Sequence, residues 1–163
     1  MELLNDFNTS VKKAFDEIDK DWKFYKGLVI CGTHTPHDMD NMIGEIKKVR
    51  ENKEPFLGIC AGHQYAAIEY ARNVLGIKDA TSEEFGEKGT FVVKKRKSLK
   101  VGLHDGESWW SNYYVVLPKW EKSKNFITVP FHPEYQSSKD SPHFILKMFL
   151  QKCKEYTVAG QKV

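Results

Sequence analysis

Residues 55–64, Pro-Phe-Leu-Gly-Ile-Cys-Ala-Gly-His-Gln, constrain the fold of this chain more than any other segment. An apolar run enters a Gly-x-Cys-x-Gly turn, and a stretch with helical periodicity leaves it. A strand that passes into a helix through such a turn is a nucleophile elbow, which presents its central side chain at the carboxyl end of a sheet. The pattern predicts that Cys60 is a nucleophile, and the positive end of the following helix favours its thiolate form. The alternative is a buried structural cysteine.

Size and composition set further limits. The 163 residues fit a single domain over 1–163, with the last stretch, 157–163, expected to be frayed. Because the net charge is only +3 and no run approaches the roughly 18 apolar residues of a membrane span, we expect no nucleic-acid partner and no membrane association. Cys31, Cys60 and Cys153 lack the spacing of a disulfide framework, and the start of the chain has no signal-peptide pattern. We therefore expect a cytoplasmic protein.

Apolar runs alternate with amphipathic stretches through the first half of the chain. Strand and helix in alternation predict a parallel sheet with right-handed crossovers, and so an α/β fold. The predicted helices cover residues 8–20, 40–51 and 62–75, and the predicted strands cover 27–31 and 55–59.

After residue 85 short apolar runs are separated by turn residues. Strands at 90–93, 101–103 and 113–117 are predicted to form an antiparallel extension, with a turn at Asp105-Gly106. A further strand covers 126–131. A final helix is predicted from a Ser141 cap and a first-turn Pro142 to about Glu155. The predicted core positions include Val74 in the helix over 62–75 and, in the final helix, Phe144, Ile145, Met148, Phe149 and Cys153.

Two features of the extension leave alternatives open. The basic residues 94–97 and Lys100 favour a solvated hairpin over a nucleic-acid site, because no aromatic stacking residues are interleaved with them. The aromatic residues that follow favour core packing and a partner-binding patch equally. They are Trp109, Trp110, Tyr113 and Tyr114.

The segment His132-Pro133-Glu134 follows the predicted strand over 126–131, at the end where an open α/β sheet presents its site. A cysteine nucleophile needs a base to take its proton and a third group to orient that base. Together with the elbow, these residues predict a triad of Cys60, His132 and Glu134. Backbone N–H groups of Ala61 and Gly32 are the predicted oxyanion donors.

These segments resemble the class I glutamine amidotransferase family, the triad-type glutaminases. The elbow, the Gly32 turn and Phe-His-Pro-Glu-Tyr at 131–135 carry the resemblance. Residues 68–85 are similar to the glutaminase domain of CTP synthases almost residue for residue, and residues 128–149 resemble the same domain.

The resemblance implies a flavodoxin-like three-layer fold, with helices on both faces of a mostly parallel sheet. It also implies hydrolysis of L-glutamine to glutamate and ammonia through a γ-glutamyl thioester on Cys60. His132 would act as general base and then acid, oriented by Glu134. Gln64 and Glu84 match the substrate-binding positions of the family, and a carboxylate at Glu84 suits the α-ammonium group of glutamine. No cofactor is implied.

The chain also departs from the family. It has no synthetase domain, and the first strand and the glycine-rich opening are missing or cut short. Cys31-Gly32-Thr33-His34 stands where the family has a Gly-Gly-Phe-Gly oxyanion loop. Residues 109–114 stand where the family has Arg-His-Arg-Tyr-Glu, so that Asn112 lies near the place of the arginine that clamps the substrate carboxylate.

Three functions fit the sequence. The first is a glutaminase that feeds ammonia to a separate synthetase subunit. The second is a hydrolase of another γ-glutamyl amide with the same triad. The third is a catalytically idle regulatory or binding relative. No metal site is predicted: His34, His37, Asp38 and Asp40 fit a polar loop over the site better than a set of metal ligands.

Overall fold

The computed structural model describes the backbone of residues 1–35, 38–86, 88–104, 108–118 and 123–160, and their side chains except at 99–104, 108–113 and 115. Among these residues no helix is long and apolar enough to cross a membrane.

The main sheet has four parallel strands, β1 (Glu2–Leu4), β2 (Leu28–Ile30), β3 (Phe56–Ile59) and β7 (Phe126–Val129), which lie side by side in that order. Ile30 pairs with Gly58, and Gly58 pairs with Thr128, so the carboxyl ends of β2, β3 and β7 are neighbours. The strands predicted at these places are confirmed. The first strand, expected to be missing or cut short, is present as a short strand beside β2.

Helices cover both faces of this sheet, which confirms the three-layer α/β fold. Side chains of successive strand residues alternate between the faces. Val29 and Leu57 face one helix pair, α1 (Asn8–Ile18) and α4 (Phe144–Gly160). Leu28 and Phe56 face the other pair. That pair consists of α2 (Met39–Glu51) and α3 (Ala61–Asn73).

The crossovers of the sheet do not all have the same hand. The chain steps in one direction from β1 to β2, β3 and β7, yet α1 lies on the face opposite to α2 and α3. Two crossovers that step in the same direction over opposite faces have opposite hands. Right-handed crossovers, as predicted, therefore cannot hold for both β1-α1-β2 and β2-α2-β3.

A second sheet contains β4 (Ala80–Ser82), β5 (Thr90–His104) and β6 (Ser108–Val116). The antiparallel pairing of β5 with β6 is confirmed. Residues 90–93 and 101–103, predicted as separate strands, belong to the single strand β5, which continues through the basic residues between them with a shift of register between Lys95 and Lys100. The strand β4 was not predicted, and the turn expected at Asp105-Gly106 lies outside the described residues.

Three predictions about helix faces and ends are wrong. Val74 is exposed because α3 ends one residue before it. Phe144 and Met148 are exposed as well, since Leu146 and Leu150 take the inward positions of α4.

The ends of α4 also differ from the prediction. The helix begins at Phe144 rather than just after Ser141. The Nδ1 atom of His143 accepts a hydrogen bond from the Ile145 N–H and takes the place of the expected serine cap. It continues to Gly160, into the stretch expected to be frayed. Thr157 helps to hold this end through its hydroxyl, which accepts a hydrogen bond from the Lys26 N–H.

Candidate active site

Cys60 lies at the turn between β3 and α3, with φ 53° and ψ −100°. Its N–H donates to the Val129 carbonyl of the neighbouring strand, which fixes the turn against β7. The flanking glycines are required by space: a Cβ on Gly58 would lie 2.7 Å from the Gly62 oxygen, and one on Gly62 would lie 2.2 Å from the Ile30 oxygen. The local geometry is that of a nucleophile elbow.

Cys31 and Cys153 are both buried, which confirms the core position predicted for Cys153. Burial raises the pKa of the Cys31 thiol to about 12, with a smaller contribution from the Glu134 carboxylate. Burial also raises the pKa of Cys153. Cys60 is half-buried and is therefore the accessible thiol among the three.

His132 follows β7 and lies between Cys60 and Glu134. Its Nδ1 atom is 2.7 Å from Glu134 Oε1, and the Glu134 side chain is fully buried. Burial lowers the pKa of His132, but hydrogen bonds to Cys60 and Glu134 and the charges of both outweigh that effect and raise the pKa to about 10. The imidazolium form of His132 is therefore favoured between the Cys60 side chain and a buried carboxylate.

Gly32 and Ala61 are the predicted oxyanion donors. Gly32 lies beside the His132 ring, and Ala61 directly follows Cys60. A Cβ on Gly32 would be 2.8 Å from His132 Cε1, so the backbone of this residue lies directly against the imidazole ring. Ala61 is the first residue of α3, where helical N–H groups have no partner within the helix. Both backbones are thus close to the sulfur-bearing turn.

Gln64 and Glu84, the predicted substrate-binding residues, are joined by a hydrogen bond. Gln64 Nε2 donates to Glu84 Oε2 at 2.5 Å, and Gln64 Oε1 accepts from the Ser82 hydroxyl at 2.8 Å. Burial raises the pKa of Glu84, while the Gln64 hydrogen bond and the charge of His34 oppose that effect. The Glu84 carboxylate therefore lies within electrostatic reach of His34.

The loop after β2 forms another wall of the site. Thr33 and Thr35 both donate to Asp6 through their hydroxyl groups, which ties the loop to the segment before α1. The His34 ring contacts Phe7 edge to face at 4.8 Å between centroids. Within the described residues no three His, Cys, Asp or Glu side chains are placed to hold a metal ion. His37 lies outside those residues.

Asn112, the remaining predicted site residue, belongs to β6 and pairs with Lys100, and its side chain lies outside the described residues. Tyr114, two residues later, is partly buried. Burial raises its pKa, and the charge of Glu84 adds to the effect. The strand β6 therefore passes close to the Gln64–Glu84 pair.

Three contributors to the site were not predicted. Ser82 fixes the amide of Gln64, while Phe7 and Tyr135 contact the His132 ring. Only Tyr135 had a sequence signal, its place directly after His-Pro-Glu. Phe7 comes from a distant segment, and Ser82 comes from the strand that was not predicted.

Known proteins share parts of this sequence. The sequence model of the family described as glutamine amidotransferase class-I matches residues 5–152. The CTP synthase of Methanoregula boonei is 52% identical over 71 residues, 44% of this chain and 13% of the relative. The CTP synthase of Pelagibacter ubique is 31% identical over 208 residues, 90% of this chain and 39% of the relative. The chain thus spans less than half the length of these relatives.

A solved structure shows the same fold. The Trypanosoma brucei CTPS glutaminase domain with bound acivicin superposes with a TM-score of 0.75 at 18% identity, and the match covers 94% of this chain and 93% of that one. Together with the family match over most of the sequence, this places the chain in the class I glutamine amidotransferase family.

Proposed function

We propose that the chain hydrolyses L-glutamine to glutamate and ammonia, with Cys60 as nucleophile. The observation that carries the proposal is the position of the His132 imidazole at the carboxyl end of a parallel sheet, 2.7 Å from Glu134 Oε1 and close enough to Cys60 for that side chain to raise its pKa. The membership of the chain in a family of glutamine amidotransferases supports the same substrate.

In the first half-reaction the Cys60 thiolate attacks the side-chain amide carbon of glutamine. The amide oxygen takes up the negative charge and accepts hydrogen bonds from the Gly32 and Ala61 N–H groups. The imidazolium of His132 gives its proton to the amide nitrogen, the carbon–nitrogen bond breaks, and ammonia leaves. The γ-glutamyl group stays on the sulfur as a thioester.

In the second half-reaction the neutral imidazole of His132 takes a proton from water, and the resulting hydroxide attacks the thioester carbon. The carbon–sulfur bond then breaks, and glutamate leaves. The thiolate and the imidazolium are restored. Glu134 holds the Nδ1 proton through its 2.7 Å hydrogen bond, so that Nε2 is the atom that exchanges protons with substrate and water.

The order of residues at the start of α3 suits glutamine. Gln64 lies about one helical turn after Cys60, the N-cap of α3, and its side chain holds the Glu84 carboxylate by a hydrogen bond. Four bonds separate the amide carbon of glutamine from its α-nitrogen, which places them roughly 5 Å apart when the chain is extended. A glutamine whose amide carbon meets the Cys60 sulfur can therefore extend its α-ammonium group towards Glu84.

We further propose that the ammonia passes to a synthetase site that lies outside this glutaminase domain. The relatives that the chain matches are CTP synthases, of which it spans 39% or less. Three cysteines without a disulfide suit a reducing compartment such as the cytoplasm.

A second candidate is the hydrolysis of another γ-glutamyl amide by the same triad. Two features favour it: the asparagine at 112 where the family has an arginine, and the side chain of His34 in the loop that forms the oxyanion wall. A substrate with a modified α-carboxylate would not need the arginine.

The test is ammonia release from L-glutamine by the purified chain, with the Cys60→Ala variant as the blank. Turnover by the wild type alone is the expected result. An electrophilic glutamine analogue should add its mass to Cys60 and to no other residue. If the analogue does not label Cys60 and no ammonia is released, while a γ-glutamyl anilide is cleaved, the second candidate replaces the first.

A further inference from the structure

Tyr135 is an exposed aromatic residue beside the catalytic group. It is 61% exposed and so contributes little to the core. Its ring nevertheless stacks on the imidazole of His132, with 5.1 Å between centroids and 26° between planes. This is an offset-stacked arrangement of the kind aromatic pairs prefer.

The backbone holds the two rings in this arrangement. His132 precedes the short 3-10 helix Pro133–Gln136, and the N–H of Tyr135 donates to the His132 carbonyl at 3.3 Å. Pro133 fixes one backbone angle between them. The short helix thus aims Glu134 at the Nδ1 atom of the imidazole and Tyr135 at its face.

We propose that Tyr135 is a positioning residue, whose ring holds the protonated imidazole of His132 in line with the Cys60 sulfur. The inference rests on the proposed triad but does not depend on glutamine being the substrate. The face of an aromatic ring attracts a cation, so stacking stabilises imidazolium more than neutral imidazole. Phe7, the other ring in contact with His132, does not stack on the imidazole: the two planes meet at 71°, with 6.2 Å between ring centroids.

The charged and titratable groups around the imidazole come from three elements. Cys60 faces it from the start of α3, and Glu134 faces it from the 3-10 helix. Cys31, at the end of β2, is within electrostatic reach of Glu134, and His34 lies on the far side of Phe7. Substitution of Tyr135 leaves all of these groups in place.

The experiment is an NMR titration of the Cε1–H resonance of His132, assigned with the His132→Asn variant, in the wild type, Tyr135→Leu and Tyr135→Phe. We expect the midpoint of the Leu variant to fall by about half a pH unit, the size of an exposed cation–π contact. The Phe variant should titrate as the wild type does, because it keeps the ring. The kcat of the Leu variant should fall about threefold or more, with an unchanged KM.

The outcomes separate this inference from the proposed function. If the Leu variant titrates as the wild type does, or if the Phe variant behaves like the Leu variant, stacking by the ring is not the cause and the inference fails. If the midpoints shift as expected but no variant releases ammonia from glutamine, the inference stands and the proposed substrate is wrong. Thermal unfolding of each variant checks that this exposed position leaves the fold intact.

Discussion

Replacement of Gly32 by alanine should damage catalysis much more than it damages the fold. The added Cβ would lie 2.8 Å from His132 Cε1 and 2.8 Å from Phe7 Cδ2. Carbon atoms in contact prefer about 3.5 Å or more, so the distance from the new Cβ to each of the two rings must increase by roughly 0.7 Å. The backbone N–H that is the proposed oxyanion donor remains, because alanine keeps it. The variant therefore tests the position of His132 separately from the donor.

The size of the effect follows from that displacement. A misplacement of about 1 Å at a reacting group costs on the order of 100-fold in rate, so we expect kcat to fall by roughly 10- to 100-fold. The new Cβ would meet two partly exposed side chains rather than backbone atoms, and Gly32 does not have a positive φ. The cost in the free energy of unfolding should therefore stay near the low end of about 1–3 kcal/mol for overpacking.

The assay is ammonia release with thermal unfolding measured on the same preparations. Gly44→Ala is the matched control, since Gly44 lies inside α2 and no atom is within 4 Å of its added Cβ. That variant should keep the wild-type kcat and gain about 0.5–1 kcal/mol of stability. A Gly32→Ala enzyme with wild-type kcat would refute the proposed contact between Gly32 and the catalytic ring.

Three further predictions concern the elbow, pH and substrate binding. Gly62→Ala should destabilise the fold by about 3 kcal/mol or more in denaturant unfolding, because its Cβ would meet a backbone oxygen of β2 at 2.2 Å; a wild-type midpoint would contradict this. The pKa of His132 is raised from 6.5 to about 10 by its contacts with Cys60 and Glu134, so the stability that these contacts give is fully present below pH 6.5 and is lost as pH rises towards 10. The difference in unfolding free energy between the wild type and His132→Asn should shrink over that range, and a constant difference would exclude a raised pKa of His132. Glu84→Gln should raise the KM for glutamine tenfold or more with a smaller change in kcat, whereas Glu83→Gln, at the neighbouring position that does not bond Gln64, should change neither.

The parts that could be predicted from sequence are those fixed by neighbours along the chain. The elbow depends on two glycines within two residues of Cys60, and both are required by backbone contacts of less than 3 Å. The inward faces of α1 and α2 follow from helical periodicity alone. His132 and Glu134 could be paired in advance because a proline separates them at the end of a strand.

The parts that could not be predicted depend on contacts between distant segments. Phe7 reaches the His132 ring only because the segment before α1 is tied to the loop after β2. The three-residue strands β1 and β4 are too short for alternation to be visible. In α4 two apolar faces compete, and the position of the sheet selects Leu146 and Leu150 over Phe144 and Met148.

The opposite hands of the first two crossovers set β1 apart from the rest of the main sheet. In a doubly wound sheet with right-handed crossovers, the chain reverses its direction across the sheet when the connecting helices change face. Here α1 lies on the face opposite to α2, yet the chain steps from β1 to β2 and on to β3 in one direction. The strand β1 lies at the edge and joins the sheet through β2 alone. The ends of β2, β3 and β7, which carry the candidate triad and its oxyanion wall, therefore form a continuous set without it.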